Sequence, residues 1–174
     1  MDKNTNQNAE SKMQLPVHTR KTQPAVRGGA SPSVDRLSDL VCRELIKRAT
    51  EMLQFSYAPY SNFKVGAALM AKDKKVFTGC NIENAAFGPS NCAERTAFFK
   101  AVSEGAKDFL AIAIVGGKEG VITDYCPPCG VCRQVMAEFC DPDEFFVILA
   151  RSEDDYWIYS LRELFPMGFT PDKL

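Results

Sequence analysis

The chain predicts an α/β domain of three layers, a five-stranded sheet with helices on both faces, and three observations carry that expectation. Short apolar runs recur at strand length, segments with helical spacing or helix-start signals fall between them, and Gly, Asp and Lys clusters separate the two kinds. The first helix is expected from Ser33 or Asp35 as cap, with Leu37, Leu40, Val41, Leu45, Ala49 and Leu53 recurring at steps of three and four residues. Val65 to Met70 and Val76 to Cys80 read as a hairpin turned by Asp73-Lys74-Lys75. Leu110 to Val115 is apolar throughout, as in a strand covered on both faces, and Gly116-Gly117 is expected to stop it. Phe145 to Ala150 repeats that character, and Tyr156 to Tyr159 supplies a fifth strand. Helices are expected from Cys92 to about Val102 and from Cys129 to about Phe139, with Pro128 near a first helical position, where its missing N–H is harmless.

A length of 174 residues suits one domain with its own core. Hydrophobic residues at 45% and charged residues at 25% are ordinary for a globular protein. No run reaches the roughly 18 apolar residues of a membrane span. Seven cysteines are an odd number, and no hydrophobic signal segment follows Met1, so a disulfide framework is disfavoured and a reducing, cytoplasmic setting is expected. Within such a setting Cys42, Cys80 and Cys140 read as small buried hydrophobes.

Residues 1–32 differ in character from the rest. They are polar, contain Pro16, Pro24, Pro32 and Gly28-Gly29, and read as a disordered basic leader ahead of a domain spanning 33–174. Five Lys and Arg against two acidic residues give the leader +3, so the body carries −4 of the net −1. An acidic body argues against a nucleic-acid groove, whose affinity rests on clustered cations facing phosphates, and favours a small-molecule substrate. His18, the single histidine, falls in the leader, so metal ligands are expected from cysteine or carboxylate.

Those ligands have candidates. Cys92-Ala-Glu94 followed by Pro128-Cys129-Gly-Val-Cys132 offers three thiolates and a carboxylate that can stay off the metal. Structural zinc is normally closed by four protein ligands, whereas catalytic zinc keeps a position open for water, which Glu94 would serve as acid and base. Both cysteine motifs fall at expected helix starts, where free N–H groups and the dipole favour thiolate. Three thiolates give zinc an excess negative charge that Arg95 would offset by hydrogen bonds to sulfur, so Arg95→Ala should hold zinc loosely and turn over slowly. Cys126-Pro-Pro-Cys129 leaves two other readings open: a closed four-cysteine structural zinc, or a thiol redox pair. Arg133 and Gln134 read as cover for the exposed side of the second helix.

The cysteine and glutamate pattern is that of zinc deaminases acting on nucleobases. With Tyr57 to Leu69, Gly79 to Ala85, Cys92 to Ala97, Pro128 to Gln134 and Leu164 to Phe169 in one order, the chain resembles the homotetrameric cytidine deaminases of pyrimidine nucleoside salvage over about Leu53 to Pro171. That resemblance implies a three-layer α/β/α fold on a mixed five-stranded sheet. It also implies one Zn²⁺ per subunit and hydrolytic deamination of cytidine and deoxycytidine, with Glu94 catalytic and Cys92, Cys129 and Cys132 on the metal. Asn81 and Glu83 fall where the family binds the ribose 3′-hydroxyl, and Phe63 where an aromatic packs on the pyrimidine. Ala93 and Ala85 fall where backbone groups meet the base and the sugar 5′ end. Phe169 resembles a residue sent into a neighbouring subunit's site. Phe87 stands where a tyrosine is often found, which takes away a hydroxyl near the sugar 5′ end. A deaminase of modified cytosine nucleosides of the blasticidin type shares the zinc motif, an editing deaminase would make use of the basic leader, and a non-catalytic structural-zinc module is the alternative outside enzymes.

Overall fold

The computed structural model describes residues 37–174. The leader 1–32, its His18 and the expected caps Ser33 and Asp35 lie outside the described residues. Helix α1 runs from Asp39 to Glu51 and is capped by Ser38, whose Oγ accepts from the Val41 N–H at 3.4 Å. It therefore starts later than the apolar spacing suggested. Leu37 precedes the cap and is 1% exposed, Leu40 points to solvent, and Leu53 belongs to a 3₁₀ turn over Met52–Phe55. Leu37 and Cys42 share one core cluster on either side of the cap, the arrangement that fixes a helix's entry.

Strands β1 (Phe63–Ala71) and β2 (Val76–Cys80) form the expected hairpin. Helix α2 (Ala93–Ser103) follows, then β3 (Phe109–Lys118), α3 (Gly130–Phe139), β4 (Phe146–Ser152), β5 (Asp155–Ser160) and the single turn α4 (Leu161–Leu164). The sheet has the order β2-β1-β3-β4-β5; β3 and β4 are parallel and the other neighbours antiparallel, so it is mixed. Parallel neighbours need a long crossover, and α3 lies between β3 and β4 in the chain.

Alternation along the strands sends consecutive residues to opposite faces. Ala68, Met70, Ala113, Val115, Phe146 and Ile148 meet the Cys42, Leu45, Ile46 and Ala49 face of α1. On the other face Ala67, Leu69, Ile112, Ile114, Val147 and Leu149 meet Ala97, Phe98 and Ala101 of α2 and Met136 and Ala137 of α3. Helices therefore cover both faces, and β3 is buried from Ala111 to Val115, as its unbroken apolar run requires.

Gly116-Gly117 does not stop β3, which continues to Lys118. The glycines instead admit close neighbours: a Cβ on Gly117 would stand 1.9 Å from the Val121 carbonyl oxygen, and one on Gly116 would stand 2.9 Å from Cys126 Sγ. Their role is close approach within a strand rather than termination. Cys42, Cys80 and Cys140 are buried, and no described helix is long and apolar enough to cross a membrane.

Candidate active site

Two helix starts meet at one end of the sheet's α2–α3 face. Cys92 is the N-cap of α2 and Cys129 that of α3, both in extended backbone, so each thiol stands where the first N–H groups lack helical partners. Cys129 Sγ accepts from the Cys132 N–H at 3.4 Å. Pro128 falls just before this cap rather than inside the helix. Close packing holds α2 in place: a Cβ on Gly79 of β2 would lie 2.4 Å from the Ala93 carbonyl oxygen and 2.6 Å from the Ala97 nitrogen.

The Sγ atoms of Cys92, Cys129 and Cys132 all lie within 4.8 Å of one another, with Cys92 to Cys129 at 3.9 Å and Cys129 to Cys132 at 3.5 Å. A tetrahedral zinc with sulfur at about 2.3 Å asks for sulfur pairs about 3.8 Å apart, a spacing that the Cys92–Cys129 and Cys129–Cys132 pairs lie close to. Cys126 stands outside the cluster, which leaves a three-thiol site and disfavours the four-cysteine closure. Burial, then the charges of Glu94 and Cys92, push the Cys126 thiol up to about 12; it stays protonated and is a poor redox nucleophile.

Among the metal-free thiols the proton is shared unequally. A hydrogen bond from Cys132, helped by the Arg95 guanidinium, brings Cys92 down to about 5, and the same bond with burial pushes Cys132 far up. Arg95 Nη2 donates to the Ser90 carbonyl at 3.1 Å and reaches Cys92 Sγ at 3.7 Å, the hydrogen bond to sulfur expected of it. Its Nε is buried without a partner among the described residues.

Glu94 lies in the first turn of α2 and is 4% exposed. Burial first, then the Cys92 charge, raises its carboxyl to about 7. It faces a cavity of about 330 Å³ whose lining includes Val65, Asn81, Glu83, Cys92, Glu94, Arg95, Cys126 and Cys129. Phe63 stands at the start of β1, where its ring and Cys126 Sγ both lie close to Gly116.

Asn81 and Glu83 are oriented by the backbone around them. Asn81 Oδ1 accepts from the Ser56 hydroxyl and from the Val65 N–H at 2.8 Å, while Nδ2 donates to the Phe63 carbonyl at 2.8 Å. Its oxygen is saturated, so only its second N–H is left for a ligand. Glu83 Oε2 accepts from the N–H groups of Tyr60 at 2.9 Å and Ser61 at 3.2 Å. The Ser61 hydroxyl and these N–H groups hold Glu83 below the usual carboxylate range. Ala93 is fully buried, and as the first residue of α2 its N–H has no helical acceptor.

Of the expected substrate contacts, Asn81 and Glu83 line this cavity and Phe63, Ala85, Ala93 and Phe169 do not. Ala85 lies on an exposed loop and Phe169 is 57% exposed. Phe87 is exposed, sits at φ 53° and meets the Tyr60 ring edge-on at 6.3 Å. Sequence reasoning missed Ser56, and it took Arg133 and Gln134 for surface cover. In fact Arg133 donates to the Pro128 and Leu164 carbonyls and Gln134 to that of Phe169.

A buried carboxylate beside three convergent thiols, opening on a small cavity, defines the class of metal-dependent hydrolytic sites. The family of the cytidine and deoxycytidylate deaminase zinc-binding region matches residues 41–148. A cytidine deaminase from Halalkalibacterium halodurans is 48% identical over 130 residues, which cover 75% of this chain and 95% of the relative. A probable cytidine deaminase from Dictyostelium discoideum is 41% identical over 74% of this chain and 84% of its own length. The crystal structure of a cytidine deaminase from Burkholderia pseudomallei superposes with a TM-score of 0.66 at 47% identity, covering 72% of this chain and 97% of that one. The chain belongs to the cytidine deaminase family.

Proposed function

We propose that this chain hydrolyses cytidine and deoxycytidine to uridine and deoxyuridine with release of ammonia. The observation that carries the reading is Glu94, buried against the three-thiol cluster yet outside it, with its carboxyl raised to about 7. A group poised near neutral pH can take a proton and return it within one turnover. Cys92, Cys129 and Cys132 would hold zinc, which when bound would supply the acidity that makes water deprotonable near neutral pH. Glu94 accepts the proton of the attacking water and passes it to ring N3 as oxygen adds at C4. It then takes the proton of the new C4 hydroxyl and delivers it to the amino nitrogen, so that the C4–N bond breaks, C4 becomes a carbonyl and the nitrogen leaves as ammonia. Arg95, within 3.7 Å of the Cys92 sulfur, draws charge from it and would leave a bound metal more electrophilic.

Recognition follows from the same wall. The free N–H of Asn81 donates to a sugar hydroxyl and Glu83 Oε1 accepts from it, so one hydroxyl satisfies both. Phe63 flanks the base, and the N–H of Ala93, which has no helical acceptor, serves a base acceptor. Among the described residues Arg95 is the one cation lining the cavity and is engaged with Ser90 and Cys92, while the Glu83 carboxyl is held below its usual range, so these residues offer a 5′-phosphate no free counter-charge. This favours nucleosides over deoxycytidylate. The exposed Phe55, Tyr57, Tyr60, Ile82 and Phe87 support assembly, for which we propose a homotetramer in which Phe169 and Ala85 complete sites shared between subunits. Free thiols at the site suit a reducing, cytoplasmic compartment.

The test is to follow the ultraviolet change of cytidine, deoxycytidine, deoxycytidylate and a cytosine-containing single-stranded oligonucleotide with purified protein. Turnover of the two nucleosides and not the others is expected. Absence of nucleoside turnover in zinc-loaded protein overturns the reading.

A further inference from the structure

The first turns of α3 carry, besides two thiols, both anchors of the C-terminal segment. Arg133 Nε donates to the Pro128 carbonyl at 2.9 Å, closing around the peptide that presents Cys129. Its Nη1 donates to the Leu164 carbonyl at 2.8 Å, the last residue of α4, whose oxygen has no helical partner. The next residue, Gln134, donates from Nε2 to the Phe169 carbonyl at 2.7 Å. Adjacent side chains of one helix thus hold the two ends of the five-bond stretch from Leu164 to Phe169.

Between those ends the chain is tightly folded. Met167 adopts φ 58°, and a Cβ on Gly168 would fall 2.3 Å from the Phe165 ring, so Phe165 lies across the glycine. Phe165 also packs against the α2–α3 core. Phe169 leaves this clamp with its carbonyl tied and the residue 57% exposed. An aromatic held by its backbone but uncovered is placed for a contact made beyond this chain's own core.

We infer that Gln134 is a positioning residue that sets Phe169 at a fixed place relative to the thiol cluster two residues away on the same helix, while Arg133 braces the Cys129 peptide and the start of the segment. The inference rests on the reading of Phe169 as a substrate contact. Phe169 then depends on the metal-bearing helix for its position, so subunits that share sites would keep thiols and aromatic in register.

The experiment compares wild type, Gln134→Met, Gln134→Glu, Phe169→Ala and the Gln134→Met/Phe169→Ala double variant as assembled, zinc-loaded enzymes. Methionine keeps length without a donor, and glutamate keeps shape and polarity without one, so at least one is expected to fold. Loss of one neutral hydrogen bond predicts a KM about three- to tenfold higher for the Gln134 variants, with zinc content and kcat near wild type. A general structural defect would lower kcat and zinc content together. In the Phe169→Ala background Gln134→Met should raise KM no further, because its effect passes through that ring. Full additivity, or a wild-type KM in both Gln134 variants, overturns the positioning role while leaving the deaminase reading intact. A wild-type KM in Phe169→Ala overturns it by removing the contact it serves.

Discussion

Glu94→Gln separates the chemistry of the site from its stability, because the replacement keeps shape and removes charge. The carboxyl is 4% exposed and stands at about 7 against an ordinary 4.5. The ionised folded state is therefore disfavoured by about 3 kcal/mol. The native state of the metal-free protein holds the Glu94 proton where the unfolded chain has lost it, so stability falls as pH rises from 4.5 through 7. Glutamine does not titrate. In urea denaturation of protein stripped of zinc under reductant, wild type and variant should be similar near pH 4.5, and the variant more stable by about 3 kcal/mol at pH 8. Zinc-loaded variant should bind one ion and lose about 10²- to 10⁴-fold in kcat, the range for a proton-transfer group. A stability difference independent of pH would refute the burial argument, and a kcat within a few-fold of wild type would refute the acid and base role.

Other expectations follow from neighbouring residues. Cys129→Ser should abolish stoichiometric zinc in metal analysis, whereas Cys126→Ser should retain one ion per chain, since only the former belongs to the cluster. Gly79→Ala should cost about 2–3 kcal/mol in urea denaturation and weaken zinc in chelator competition, because its Cβ meets α2 backbone at 2.4 and 2.6 Å; Gly130→Ala, with nothing within 4 Å, should be tolerated. Glu83→Gln should raise KM more than it lowers kcat. Glu83's carboxyl is depressed, so its contribution to nucleoside binding is full above the ordinary carboxylate value and lost only as pH falls through its lower folded value; a KM measured from pH 7 down to 4.5 should lose no Glu83-dependent part.

The layered fold was legible because its signals are local. Every expected strand is present, as are α2 and α3, because apolar runs and helix-start cysteines reveal themselves within ten residues. Boundaries failed where a distant partner decides. Gly116-Gly117 looks like a stop in one dimension, yet Val121 and Cys126 pack on those glycines and the strand continues. Ser38 caps α1 although Leu37 fits the helical spacing, because Leu37 is needed beneath the helix entrance.

The site divides in the same way. Cys92, Glu94, Cys129 and Cys132 announce themselves by spacing, since a metal needs ligands on rigid, nearby helix starts. Ser56 carries no such signature: it acts across 25 residues of chain by holding the Asn81 oxygen, which decides that Asn81 can only donate to a ligand. Arg133 and Gln134 lie on a helix face whose polar character fits solvent equally well, and only the return of Leu164 and Phe169 to that face turns them into anchors. Residues proposed to perform chemistry are thus marked by their neighbours in sequence, and residues that orient them by their neighbours in space. The second group is where substitutions should alter KM while leaving the metal in place, which makes the separation of KM from zinc content the measurement that distinguishes the two.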